Sequence, residues 1–155
     1  MKINWDYFEK IKPILRKLCR KVEGDFVVFG SAPLYLFGAL KFEGLGNMHD
    51  LDILLDGHVK NSAIEKTVYF ENDKNQKLYK LSIDGVNIDV GTLWPGHEEW
   101  FEKVFENSQE INGYKFASLE TVLEWKKRNI KKYDRKKDKE AIARIKKFLP
   151  TYGTG

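Results

Sequence analysis

His49-Asp50-Leu51-Asp52-Ile53-Leu54-Leu55 starts polar and ends apolar. Side chains alternate along a strand, so as a strand this stretch turns Leu51 and Ile53 into a core and leaves Asp50 and Asp52 on the opposite face. Two carboxylates about 7 Å apart along one backbone repel each other unless a cation or a proton lies between them. Magnesium suits such a pair, because it takes oxygen ligands and is held by one or two carboxylates together with substrate phosphates. The plainer alternative is a pair of exposed strand residues, against which stands the depletion of Asp in strands.

Upstream, Phe26-Val27-Val28-Phe29 is a continuous apolar run that predicts a buried strand. Gly30-Ser31-Ala32-Pro33 then reads as a strand-to-helix turn. Ser31 is a good N-cap, Pro33 suits a first turn, and Leu34, Leu36, Phe37 and Leu40 follow at helical density. A helix N-terminus offers free N–H groups to phosphate, and glycine allows close approach. Phe42 to Met48 reads as a loop. Nearer the N-terminus, Phe8, Ile11, Leu15, Leu18 and Val22 predict a helix over 6–22, ended by Gly24 and Asp25. Pro13 should kink it or mark its first turn.

Downstream, Lys66 to Phe70 predicts a third strand. Leu78 to Ile83 and Val86 to Val90 flank Asp84-Gly85, a dipeptide favoured in two-residue hairpin turns. Val86, Ile88 and Val90 share one face and Asn87, Asp89 and Gly91 the other, so Asp89 is a third carboxylate that a small sheet could set beside the first two. From Pro95 onward helix is expected at about 97–106, 118–132 and 135–149. Ser118 should cap the second, and Pro150 should stop the third. Ala141, Ile142, Ile145, Phe148 and Leu149 fall on one side of the last helix. The expected class is α+β: a small mixed sheet with an Asp-Gly hairpin and helices packed on it. One domain over 1–155 is expected, with a core at about 24–92 and a helical C-terminal segment at about 97–149.

The 155 residues, 42% hydrophobic and 32% charged, have the balance of a soluble globular protein. No apolar run approaches the ~20 residues of a membrane span. The start, Met1-Lys2-Ile3-Asn4-Trp5-Asp6, lacks the layout of a signal peptide. Cys19 is the single cysteine, expected to pack on its apolar helix. A cytoplasmic location without membrane partners is the expectation. The net charge of +4 is unevenly spread: residues 126–147 carry 12 Lys/Arg against 3 Asp/Glu, and the remainder 15 against 20. A basic segment on an acidic body suggests an anionic ligand such as nucleic acid or a triphosphate, with a solvated helical face as the plainer reading.

Phe29-Gly30-Ser31, His49-Asp50-Leu51-Asp52-Ile53 and Ile88-Asp89-Val90 together resemble the signature of the nucleotidyltransferase superfamily. That signature is a hydrophobic residue with Gly-Ser or Gly-Gly, a helix, Asp-x-Asp on a strand and a later strand with a third Asp. The chain is most similar to minimal stand-alone members, including relatives of toxin- or antitoxin-linked and antibiotic-modifying enzymes. Arg135-Lys136-Lys137-Asp138 resembles an Arg-x-Lys-Asp element found near their C-termini. The stretch between Ser31 and Asp50 is longer than the usual spacing, and no Arg or Lys directly precedes His49-Asp50.

The resemblance implies magnesium-dependent transfer of a nucleoside monophosphate from a triphosphate, ATP by default, to an acceptor hydroxyl, releasing pyrophosphate. It implies two magnesium ions bridged by Asp50 and Asp52, with Asp89 ligating the acceptor-side ion and accepting the hydroxyl proton. Gly30, Ser31, Arg135 and Lys137 would face the triphosphate, with Lys126 and Lys127 as further cations. The acceptor (protein, RNA or small molecule) and any homo-oligomer stay open.

Other residues invite competing readings. His49 and His58 flank the acidic strand and suggest zinc with Asp50, although magnesium fits an oxygen-rich site better. His97, near Trp94 and Trp100, reads as structural, and Tyr35 could touch a base. A non-catalytic nucleotide- or protein-binding module of the same fold is one alternative, against which the intact Asp trio stands. An RNA- or DNA-binding protein using 126–147 is another, weakened because only Tyr133 interleaves the basic residues. An RNA acceptor would satisfy both the basic segment and the acidic site.

Overall fold

The computed structural model describes residues 2–42, 50–70, 73–133 and 136–152. The chain order is α1 (Trp5–Leu18), β1 (Val22–Phe29), α2 (Ala32–Leu36), β2 (Asp50–Val59), a 3-10 turn (Asn61–Ala63), β3 (Lys66–Phe70), β4 (Asp73–Ile83) and β5 (Val86–Thr92). Then come α3 (Glu98–Glu106), β6 (Gln109–Ile111), β7 (Tyr114–Phe116), α4 (Leu119–Tyr133) and α5 (Lys136–Tyr152). The result is a mixed α+β structure whose seven strands form one mixed sheet in the order β3-β4-β5-β2-β1-β7-β6.

Asn4 starts α1 by accepting the Tyr7 N–H at 3.1 Å, one of the four donors a helix start leaves unpaired. Phe8, Ile11, Leu15 and Leu18 form its buried stripe. The helix expected over 6–22 ends early, at Leu18. Val22 repeats the apolar spacing but is β-branched and pairs with Val59, so Gly24 and Asp25 lie inside β1 rather than ending a helix. Pro13 sits within α1, not in its first turn. Cys19, expected to pack, is exposed because it follows the last helical turn.

Asp84 (φ 51°) and Gly85 (φ 81°) both take positive φ, the two-residue turn that matches the twist of paired strands. A second such turn, Asn112 (φ 48°) and Gly113 (φ 87°), joins β6 to β7 where only a connection between helices was expected. β7 runs parallel to β1 through Val27↔Lys115 and Val28↔Phe116. Ser118 caps α4 as expected, its Oγ accepting the Thr121 N–H at 3.2 Å. Pro150 does not stop α5, which continues to Tyr152. Proline's φ is helical, and this near the end it deletes a single hydrogen bond of the last turn.

Strand register assigns the two faces of the sheet. Val28, Ile53, Val90 and Phe116 share the face on which α1 lies, with Phe8 and Phe116 rings 6.2 Å apart. Val27, Leu54, Gly91 and Phe29 face the other way, beneath Trp94, Trp100 and Trp125. Trp100 and Trp125 stack at 5.5 Å, so α3 and α4 close this side through aromatic rings. Among the described residues no helix is long and apolar enough to cross a membrane.

Candidate active site

Four ladders line up one row of residues on the aromatic-covered face. Phe29 pairs with Asp52, Asp52 with Asp89, Asp89 with Lys80, and Lys80 with Lys66. Asp52 and Asp89 therefore occupy the same level of adjacent parallel strands, with Cα atoms about 5 Å apart. Asp50 lies two residues further along the same face, opposite Asn87, and is exposed. The sheet thus places Asp52 beside Asp89, with Asp50 a step beyond them. Among the described residues, no set of three or more His, Cys, Asp or Glu side chains is grouped to hold a metal ion.

Two like charges about 5 Å apart repel by about 1 kcal/mol in bulk water and about 3 kcal/mol at an effective dielectric of 20. Lys80 partly offsets this, its Nζ standing 2.9 Å from Asp89 Oδ1. Lys80 is 41% exposed and Asp89 21%. A pair this open contributes on the order of 0.2–1 kcal/mol net. The ammonium therefore offsets part of the repulsion from the Asp89 side. Replacing Lys80 with Met is expected to cost about 0.5–1 kcal/mol of stability at low ionic strength, with a smaller loss in 0.5 M salt. Urea unfolding at the two salt concentrations measures it.

Gly30 sits against the same row. Its φ is +68°, and a Cβ there would lie 2.1 Å from Asp52 Oδ2. The chain can turn from β1 into α2 beside the Asp52 carboxylate only because this residue has no side chain. Ser31 occupies the N-cap position of α2, yet its hydroxyl makes no capping bond. The helix expected to run on toward Leu40 is five residues long, closing at Phe37 ahead of Gly38 (φ +85°). So short a helix carries little aligned dipole, and any anion-binding at this turn falls to the local main chain.

The remaining expected residues are dispersed. Lys126 is buried on α4 and Lys127 is exposed. Lys137 belongs to α5, while its side chain, Arg135 and His49 lie outside the described residues, as does most of the Phe42 to Met48 stretch. His58 lies eight residues along β2 from Asp50, about 27 Å of strand, and its Nε2 is 3.2 Å from Glu23 Oε2. The zinc grouping of His58 with Asp50 is therefore not formed. His97 meets the Trp94 ring edge at 5.8 Å, and Tyr35 lies against Tyr7 at 5.4 Å.

Lys80 was not among the expected site residues, although the Asp84-Gly85 turn carries the signal for it. A two-residue turn pairs Ile83 with Val86, and counting outward sets Lys80 opposite Asp89. The donors along the row are carboxylate oxygens with no thiolate or imidazole among them, a set suited to a hard cation such as magnesium. No protein-family model, curated protein or solved structure matches the chain.

Proposed function

We propose that the chain is a magnesium-dependent nucleotidyltransferase with the nucleotidyltransferase fold, transferring a nucleoside monophosphate from a triphosphate such as ATP to an acceptor hydroxyl. The observation that carries this reading is the in-register pair Asp52 and Asp89 on parallel strands, with Gly30 against the Asp52 carboxylate. Asp50 extends the acidic face by one step. The order of Gly30-Ser31, Asp50-x-Asp52 and Asp89 along the chain adds the resemblance to that superfamily.

Asp50 and Asp52 would hold magnesium that supplies positive charge to the triphosphate, and Asp89 would join them in holding a second ion that lowers the pKa of an acceptor hydroxyl. Asp89 Oδ1 stays with Lys80, which leaves Oδ2 to receive the hydroxyl proton. The acceptor oxygen forms a bond to the α-phosphorus as the bond to the bridging oxygen breaks, and pyrophosphate leaves. The absent side chain at Gly30 leaves the Asp52 carboxylate its place beside the β1-α2 turn. The acceptor belongs to a protein, an RNA or a small molecule.

Thermal unfolding with ATP and magnesium tests the nucleotide site. Ligand at about 100 times its Kd stabilises by about 2.7 kcal/mol, a rise of several degrees for a chain of this size. The wild type should show that rise only when metal is present, and Asp52→Asn should lose most of it. Equal stabilisation of both proteins by ATP without metal would remove the Asp row from the nucleotide site.

A further inference from the structure

The far end of β2 carries a separate cluster of charge. A cleft of about 350 Å³ is lined by Lys17, Arg20, Lys21, Lys60, Ser62 and Ala63, with no carboxylate in its wall. Main-chain hydrogen bonds fix the frame that bears these side chains. Arg20 N–H donates to Lys17 O at 3.1 Å, Lys21 N–H to Leu18 O at 2.8 Å, Lys60 N–H to Lys21 O at 2.9 Å, and Ala63 N–H to Lys60 O at 2.9 Å. The cations thus come from the end of α1, the turn into β1 and the end of β2, tied together through the backbone.

Lys17 is already paired, its Nζ 2.6 Å from Asp84 Oδ2. Among the described residues, Arg20, Lys21 and Lys60 have no carboxylate partner. The carbonyl end of α1 favours cations in its last turn, which accounts for Arg16 and Lys17. It does not account for Lys60, which arrives from another element. Nor does general basicity, because outside 126–147 the chain has 15 Lys/Arg against 20 Asp/Glu. Three uncompensated like charges around one concavity repel each other, and an anion of comparable charge removes that repulsion.

We propose that this cleft binds a ligand carrying two or more phosphate groups. Arg20 supplies a planar fork for phosphate oxygens, Lys21 and Lys60 supply point charges, and the Ser62 hydroxyl supplies a neutral donor. The volume lies within the usual range for a small-ligand site, about 300–1,000 Å³. Lys60 stands eight residues from Asp52 along β2, about 27 Å, so the cleft is distinct from the acidic row and needs no metal. Free oligophosphate and a nucleic-acid backbone present the same chemistry.

Calorimetric titration of the full chain in EDTA at 50 mM salt, with sodium tripolyphosphate and separately with a single-stranded RNA 12-mer, tests the site. EDTA strips any metal from the carboxylates, which then repel phosphate. The expected result is binding whose logarithm falls linearly with the logarithm of salt concentration. The double variant Arg20→Ala, Lys60→Ala should weaken it at least about tenfold, whereas Lys10→Ala, exposed on α1 outside the cleft, should not. Both side chains of the double variant are exposed, and circular dichroism checks that it is folded. Tripolyphosphate binding with that sensitivity identifies a free oligophosphate, and RNA binding alone with that sensitivity identifies a nucleic-acid backbone. Failure of both ligands to bind at millimolar concentration, or binding that the double variant leaves unchanged, overturns the proposal.

Discussion

Asp89→Asn is expected to lower nucleotidyl transfer by about 10²-fold or more while leaving triphosphate affinity nearly intact. Under the proposed mechanism Asp89 acts on the acceptor hydroxyl, and general-base contributions run to about 10²–10⁴-fold. An interaction made only in the transition state appears in turnover and not in ground-state affinity. Asn keeps the volume of Asp and an oxygen that can accept from Lys80 Nζ, so the β4-β5 ladder should persist. The check is a paired measurement of labelled-monophosphate transfer and triphosphate affinity. Undiminished transfer would take Asp89 out of the chemistry.

Gly30→Ala should be the most damaging single-methyl change near the row. The positive φ of +68° costs a side-chain-bearing residue about 1–2 kcal/mol. The added methyl would also stand 2.1 Å from Asp52 Oδ2, so the carboxylate or the β1-α2 turn must move. Overpacking of this kind adds about 1–3 kcal/mol. A total of about 2–5 kcal/mol is expected in urea unfolding, together with loss of the metal-dependent stabilisation by ATP. A fully stable variant that still responds to ATP and magnesium would show that Gly30 does not crowd Asp52.

Where local chemistry decides structure, residue patterns carried the answer. Asp84-Gly85 marks the hairpin, and counting outward from it sets Lys80 opposite Asp89, a pairing absent from the expected site. Strand parity put Asp50 and Asp52 on one face with Leu51 and Ile53 opposite, as the burial of those two leucine and isoleucine side chains agrees. Asn112-Gly113 carries an equally legible turn signal, outweighed because its arms are only three residues each and stand beside strong helical patterns.

Non-local pairings were not legible. The level at which β2 meets β5 decides that Asp52, and not Asp50, lies beside Asp89. Those strands are joined through β3 and β4, and nothing within the connection fixes their parallel register. The end of α1 differs from the expected one for a related reason. Val22 keeps helical spacing, but the ladder from Val22↔Val59 to Phe29↔Asp52 claims it for the sheet. The short α2 was likewise hidden by apolar residues that continue past Leu36 because they are buried, not because they are helical.

The measurement closest to the central claim is incubation of the protein with each α-labelled nucleoside triphosphate, magnesium and whole-cell extract. Wild type should pass label to one class of macromolecule or metabolite. Asp52→Asn should pass none, and wild type in EDTA should pass none. Wild type that binds a triphosphate with magnesium yet labels nothing with any of the nucleotides would contradict the transferase account and leave a nucleotide-binding module in its place.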